Sequence, residues 1–129
     1  MNFSTKTEYG LRAMSRLDKT GKKPASLAVI AKEEKISLAY LERLFAQLRK
    51  AGLIKAERGS KGGYYLAKPA SKISVLEIVE TLEGELLPYD CLKGKVCCHS
   101  KGCKVHPVWT KLYGAVHKTL KQMKLSSIM

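Results

Sequence analysis

The 129-residue sequence lacks any run of about 18 apolar residues, which excludes a membrane-spanning helix. Its first residues also lack the apolar stretch of a secretion signal, so we expect a soluble cytoplasmic protein that is not inserted in a membrane. Internal repeats and low-complexity tracts are absent, and a hydrophobic share of 45% excludes wholesale disorder. The sequence therefore predicts one compact domain, or one domain with a docking appendage.

Acidic residues are scarce. The chain has 11 acidic residues against 24 lysines and arginines, a formal net charge of +13. Such an excess on a small body indicates a polyanionic partner, either nucleic acid or an anionic membrane surface. The excess is uneven, because residues 1–69 hold 15 basic and 6 acidic residues, whereas residues 70–129 hold 9 and 5. The first region is therefore the candidate for contact with the polyanion.

Cysteine is absent from all but one short stretch. The four cysteines, Cys91, Cys97, Cys98 and Cys103, fall within 13 residues. A reducing cytoplasm disfavours a disulfide framework, and reduced thiols clustered on one loop are typical of metal ligands.

Two short helices are predicted in the basic region, after a first helix from about residue 4 to residue 19. Apolar spacing places them at 27–34 and 38–50, with Ser26 and Ser37 as N-caps and a tight turn between them. This pattern is typical of a helix-turn-helix, although any small helical domain can show it. From their expected exposure at the start of the second helix, Ser37, Tyr40 and Arg43 are candidate DNA contacts.

A basic, glycine-rich hairpin is predicted directly after these helices. Residues 53–58 and 64–67 suit two strands, and residues 59–63 suit the turn between them. A hairpin in this position is the wing of a winged helix. Arg58 and Lys61 at its tip are candidates for contact with phosphates or the minor groove. A solvent-exposed hairpin without function is the alternative.

The C-terminal half is predicted to hold two further helices. The first is capped by Ser74 and ended by Gly84. The second, over 107–124, carries an apolar stripe that is long for so small a body, which favours a homodimer over ordinary packing within the chain. The stripe consists of Trp109, Leu112, Tyr113, Val116, Leu120 and Met123. The predicted fold class is mainly α with a small β-hairpin. It comprises a winged helix-turn-helix (1–69) and a second region (70–129). The second region holds a loop (88–106) that we expect to bind a metal cluster, and a dimerisation helix (107–124).

Three cysteines and a histidine follow a regular register between these two helices. The pattern is C-x5-C-x5-C-x2-H, formed by Cys91, Cys97, Cys103 and His106. Structural zinc sites usually pair ligands two to four residues apart, so the wider spacing suits an iron–sulfur cluster, where imidazole can replace a thiolate. Four lysines and no acidic residue lie between Cys91 and His106, which suits an anionic cluster. Zinc and free redox thiols remain open alternatives.

Residues 36–42, the hairpin 58–67 and the segment 103–109 together resemble the winged-helix iron–sulfur regulators of the IscR type and the related, nitric-oxide-sensing NsrR type. The resemblance covers essentially the whole chain. It implies a homodimeric transcription regulator that binds a palindromic operator under the control of a cluster. By the same resemblance, Cys91, Cys97, Cys103 and His106 would bind a 2Fe-2S cluster. Glu42 would discriminate between operator classes, and Arg58 would enter the minor groove.

One position departs from the IscR type. Glu8 lies about where the NsrR type has an acidic residue that the partner subunit supplies to a 4Fe-4S cluster. Glu8, His99 and Cys98 are therefore alternative fourth ligands. Two alternative functions follow: a nitric-oxide or redox-sensing repressor with a 4Fe-4S cluster, and a DNA-binding repressor stabilised by zinc. An enzyme is not expected, because the sequence has no recognisable cofactor loop or acid–base pair.

Overall fold

The computed structural model describes residues 2–60, 62–87 and 103–129. These residues form five α-helices and one two-stranded antiparallel sheet. Their order is α1 (Thr5–Met14), α2 (Leu27–Glu34), α3 (Leu38–Lys50), β1 (Ile54–Glu57), β2 (Gly63–Leu66), α4 (Val75–Glu83) and α5 (His106–Gln122). The predicted fold class, mainly α with a small hairpin, is confirmed.

Serine residues begin four of the five helices. The hydroxyls of Ser4, Ser26, Ser37 and Ser74 each accept a hydrogen bond from a backbone N–H of the following turn. At α4 the cap is reciprocal, because the Glu77 carboxylate accepts from the backbone N–H of Ser74. Each such cap stabilises its helix by about 1 kcal/mol. The predicted bounds of α2 and α3 are confirmed.

The first helix is shorter than predicted. It ends at Met14, and the expectation that it continues to residue 19 is wrong. After Met14 the chain continues in tighter turns, in which the N–H groups of Arg16 and Leu17 donate to the carbonyls of Ala13 and Met14. Leu17 is still only 3% exposed, so the apolar spacing extends beyond the helix itself.

The main core lies where α1, α3 and α4 meet, and it includes side chains from both halves of the chain. Phe45 and Leu41 of α3 and Ile78 of α4 are fully buried there. A second, smaller cluster lies between α4 and α5. It consists of Val75, Leu76, Val79 and Leu86, with Val116 and Leu120 of α5 packed against it.

A short 3-10 turn, Leu125–Ile128, follows α5 and was not predicted. Its Leu125 is fully buried, and the backbone N–H of Leu125 donates to the carbonyl of Ile73 at 2.8 Å. The N–H of Val75 in turn donates to the carbonyl of Met123 at 2.8 Å. These two bonds fix the end of α5 to the start of α4.

Ion pairs join the turn after α1 to α2. Arg16 pairs with Glu34 at 2.7 Å and with Glu33 at 3.2 Å. The Glu34 side chain is only 12% exposed, so water screens this pair less than a fully exposed one. Glu33 and Glu34 of α2 thus pair with arginines on α1 and just after it, away from α3.

Candidate nucleic-acid interface and cysteine site

The turn before α3 directs the start of that helix out of the core. Lys35 adopts a left-handed backbone conformation (φ 57°, ψ 43°), and the N–H of Ile36 donates to the carbonyl of Ala31 at 2.9 Å. Ser37 then caps α3 and is exposed, as the sequence predicts. Glu42 and Arg43, one turn further, are also exposed. Three of the four predicted contacts on α3 are therefore accessible to a large ligand.

The fourth, Tyr40, is not the exposed residue that the sequence suggests. Its side chain is half-buried, and its ring packs edge-on against Tyr9 with the ring centroids 5.8 Å apart. The hydroxyl oxygens of Tyr40 and Thr5 lie 3.4 Å apart. Tyr40 therefore ties α3 to α1, which apolar spacing alone does not reveal.

The predicted wing is present as the β1–β2 hairpin. Ile54 pairs with Leu66 and Glu57 with Gly63, so the hairpin is in register along its whole length. Arg58 is exposed immediately after β1, and Gly59 has a φ of 111°, which favours glycine. Lys61, the other predicted contact at the tip, lies outside the described residues.

A backbone bridge holds the wing against the rest of the winged helix-turn-helix. We call this region, residues 1–69, the head. Ala25 and Tyr64 exchange two N–H to carbonyl hydrogen bonds, of 2.8 and 2.9 Å. The Tyr64 ring also packs edge-on against Phe45 of α3, at 5.1 Å between centroids. Glycine is required at residue 63, because a Cβ there would lie 2.2 Å from the Ala25 carbonyl oxygen. The hairpin and α3 are therefore held in a fixed relation.

An open depression of about 360 Å³ flanks the hairpin on the side of the α3 C-terminus. Arg49 and Lys55 supply two cations to its wall, and Tyr65 supplies an aromatic ring. Lys55 alternates with inward-facing residues along β1, so the period-two pattern of the strand could have identified it as exposed.

Two of the four predicted cluster ligands lie at the start of α5. His106 is the first residue of the helix, and Cys103 is a half-buried free thiol three residues earlier. The N-cap, Val105, has no side chain that can accept a hydrogen bond from the first turn. The positive end of the helix dipole therefore faces the region of Cys103 without a neutralising cap. Cys91 and Cys97 lie outside the described residues, as do Cys98 and His99.

Glu8 is engaged elsewhere. Its carboxylate pairs with Arg12 one turn later on α1, at 2.6 Å, and both side chains are more than half exposed. Within residues 2–60, 62–87 and 103–129, no three histidine, cysteine or acidic side chains converge on a point where a metal ion would fit.

The apolar stripe along α5 is covered in one part and exposed in another. Val116 and Leu120 of the predicted stripe pack on α4, so that part of the stripe is used within the chain. Leu112 and Met123 are 40% exposed, together with Val105 (56%) and Val108 (55%), which were not in the predicted stripe. We call the exposed side chains of Val105, Val108 and Leu112 the outer face of α5. No residue of α5 itself is buried.

A carboxylate at the end of α4 holds the start of α1. The Glu83 Oε1 accepts hydrogen bonds from the Ser4 hydroxyl at 2.5 Å, and from the backbone N–H of Ser4 and the Thr7 hydroxyl at 2.7 Å each. Burial would raise the pKa of Glu83, but these bonds outweigh it and lower the pKa below its ordinary value. Glu83 was not predicted, because its partners are more than 70 residues away.

The family model "Rrf2: Iron-dependent Transcriptional regulator" matches residues 3–129 of this sequence. The chain belongs to the Rrf2 family. It is therefore a DNA-binding transcription regulator with a winged helix rather than an enzyme, as the sequence predicts. Among the described residues, we find no helix with the length and apolar character needed to cross a membrane.

Relatives and solved structures agree with this membership. The transcriptional regulator IscR of Cereibacter sphaeroides is 38% identical over 135 residues, which cover 100% of this chain and 87% of the relative. The structure of CymR, the global cysteine regulator of B. subtilis, matches with a TM-score of 0.83 and 35% identity, over 98% of this chain and 94% of that one. The T. potens IscR structure matches with a TM-score of 0.73 and 37% identity, over 98% and 84%. The Rrf2 chain is thus similar both to IscR proteins and to a cysteine regulator.

Proposed function

We propose that this Rrf2-family regulator is a homodimer whose operator binding is controlled by an iron–sulfur cluster, and that it regulates cluster biogenesis in the cytoplasm. One observation carries the proposal: Cys103 and His106 lie at the start of α5, the helix that presents an uncovered apolar outer face. A group bound there would act directly on the element that we expect to join the two subunits.

The basic half, residues 1–69, is the proposed DNA-binding region. Ser37, Glu42 and Arg43 at the start of α3 would lie in the major groove of double-stranded DNA, because a recognition helix reads bases with its N-terminal residues. Arg58 and Lys61 would contact the minor groove or its phosphates. Tyr40 would contribute by holding α3 against α1. Two such heads related by twofold symmetry suit a palindromic operator.

The cysteine register provides the proposed cluster ligands in the second half, residues 70–129. Cys91, Cys97, Cys103 and His106 would hold a 2Fe-2S cluster, which supplies a redox-sensitive and anionic centre when bound. The uncapped start of α5 favours an anionic group beside Cys103. His106 is favoured over Glu8 as fourth ligand, because it lies on the same helix start as Cys103 whereas the Glu8 carboxylate pairs with Arg12.

The proposed switch acts through geometry. The chain carries a net charge of +13, so one small anionic cluster changes its overall attraction to DNA very little. Binding of a group at the start of α5 would instead bias the placement of the two heads, and with it the population of dimers that fit the operator.

Anaerobic purification followed by DNA selection tests the proposal. We expect red-brown protein that contains iron and sulfide. We also expect it to enrich one palindrome from a random pool of duplexes, with an affinity that changes when the cluster is removed. Cys91→Ala, Cys97→Ala and Cys103→Ala should abolish the colour and the change in affinity. Cys98→Ala, outside the register, is the matched control and should retain both. Colourless wild-type protein, or an affinity for DNA that is the same with and without the cluster, would refute cluster control.

A second candidate function follows from the similarity to CymR, whose structure has the TM-score of 0.83. In this alternative the regulator controls genes of cysteine metabolism, and its thiols bind no cluster. The same purification separates the two candidates, because the alternative predicts a protein without sulfide. One zinc ion per chain would instead favour a zinc-stabilised repressor. Four irons per site, lost on exposure to nitric oxide, would favour the 4Fe-4S sensor.

A further inference from the structure

The first residue of α3 breaks the pattern of that helix. Leu38 is spaced with Leu41, Phe45 and Leu48 as part of one apolar stripe, and these three are fully buried. Leu38 is nevertheless 39% exposed, because the start of α3 extends beyond the core. It leaves apolar surface in water at the place where a recognition helix meets the bases.

The polar side chains beside Leu38 are already engaged within the protein. The Ser37 hydroxyl accepts from the backbone N–H of Tyr40 at 3.4 Å. The Tyr40 ring packs on Tyr9, and the Tyr40 hydroxyl lies 3.4 Å from the Thr5 hydroxyl. In the first turn of α3, the leucine methyl groups are therefore the large apolar surface that remains exposed.

The major groove offers one apolar group to such a side chain. Each thymine presents its C5-methyl there, and the other bases present hydrogen-bond donors and acceptors. Burial of one methyl group contributes about 0.8 kcal/mol, which corresponds to about a fourfold change in affinity. A leucine with no polar atom gains nothing from the polar edges of the other bases. Its exposed methyl groups match the thymine methyl alone.

We propose that Leu38 is a specificity-determining residue that reads a thymine methyl group in each half-site. The inference rests on the proposed contact of α3 with the major groove, and it is independent of the cluster. It adds an apolar reading position to the polar positions Glu42 and Arg43, so that the preferred half-site contains a thymine where α3 begins.

Replacement of thymine by deoxyuridine tests the inference, because it removes the methyl group and leaves every hydrogen-bonding atom in place. With the full chain and its selected duplex at fixed salt, each thymine is replaced in turn and the dissociation constant is measured. We expect one thymine per half-site at which the affinity falls about three- to fivefold. Leu38→Ala should bind the thymine and deoxyuridine duplexes equally, with the circular dichroism of the wild type.

Val29→Ala is the matched control, since Val29 is 53% exposed but lies on α2. The ratio of its dissociation constants for the deoxyuridine and thymine duplexes should equal that of the wild type. If no replacement alters the affinity of the wild type, or if Leu38→Ala keeps the ratio, Leu38 does not read a methyl group. The experiment compares two duplexes with the same protein sample, and that sample can be cluster-free. Failure of the cluster proposal would therefore leave this comparison valid. A chain that enriches no sequence at all would refute the proposed operator recognition and this inference with it.

Discussion

The protein uses the apolar stripes of α3 and α5 differently, although both helices are amphipathic. α3 buries four large side chains, whereas α5 buries none along its 17 residues. The difference lies in their neighbours. α3 is packed among α1, α2, α4 and β1, and α5 packs along α4. A stripe is fully buried only where other elements cover it from both sides, so the outer face of α5 has the character of an interface.

The largest effect is expected on α3. Phe45→Ala removes a ring that is fully buried and packed against Tyr64, so we expect a loss of about 3–5 kcal/mol in the free energy of unfolding. Leu112→Ala on α5 should cost less than about 1 kcal/mol in the isolated subunit. Urea denaturation at a protein concentration where the chain is monomeric measures both. Equal losses would mean that α5 is as well covered as α3 within one chain.

The next effect tests the outer face of α5. Val108→Glu places a charge where we expect a second chain, and we expect its dissociation constant for self-association to rise roughly 30- to 150-fold, or about 2–3 kcal/mol. Sedimentation equilibrium measures this change. Thr110→Glu adds the same charge at an exposed position that lies away from the outer face, and it should leave self-association nearly unaltered. Similar behaviour of both variants would rule out this face as the interface.

A smaller effect is expected at Glu83, which joins α4 to α1. Glu83→Gln should lower the free energy of unfolding at pH 7 by about 1 kcal/mol, because three hydrogen bonds to a charged acceptor weaken. The pKa of Glu83 is lowered in the folded protein. Its stabilisation is therefore present above the unfolded pKa of about 4.3 and is lost as the pH falls through the lowered folded pKa.

Thermal unfolding between pH 7 and pH 3 measures the difference between the wild type and Glu83→Gln. That difference should narrow as the pH falls towards 3. Glu42→Gln, an exposed position on α3, is the control for the loss of a carboxylate and should follow the wild type. A gap that does not narrow between pH 7 and pH 3 would show that Glu83 acts through packing rather than charge.

The smallest effect is expected where a histidine of α5 faces a carboxylate of α4. His117 Nε2 lies 3.8 Å from Glu80 Oε1, and both side chains are about one-third exposed. Such a pair contributes little, so His117→Gln should change the free energy of unfolding by less than about 0.5 kcal/mol at pH 7. A larger loss by urea denaturation would mean that the apolar contacts of Val116 and Leu120 contribute less to this packing than we infer.

The helix bounds that the sequence predicts well are those with local causes. The hydroxyls of Ser26 and Ser37 accept hydrogen bonds from N–H groups of the turns that they begin. The starts of α2 and α3 can therefore be identified from a few neighbouring residues. The end of α1 cannot, because Leu17 keeps helical spacing while the backbone has already changed to tighter turns. The C-terminal turn around Leu125 depends on a bond to Ile73, which no local pattern encodes.

In the candidate site, too, the sequence predicts features with local causes and misses those that depend on distant residues. The exposure of Glu42, Arg43 and Arg58 follows from helix and strand periodicity. The packing of Tyr40 on Tyr9 and the bonds of Glu83 to α1 depend on elements that are distant in sequence. Periodicity also cannot decide which part of the α5 stripe α4 covers and which part it leaves exposed.

The bridge between Ala25 and Tyr64 has a consequence for the length of DNA that one head recognises. This bridge and the Phe45–Tyr64 contact hold the hairpin and α3 together. The two proposed DNA-reading elements therefore keep a constant separation along the double helix. Any signal that arrives through α5 then moves the head as a unit. In the proposed dimer, each half-site should therefore keep one length in every state of the regulator, and the spacing between the two half-sites is the quantity that the signal would change.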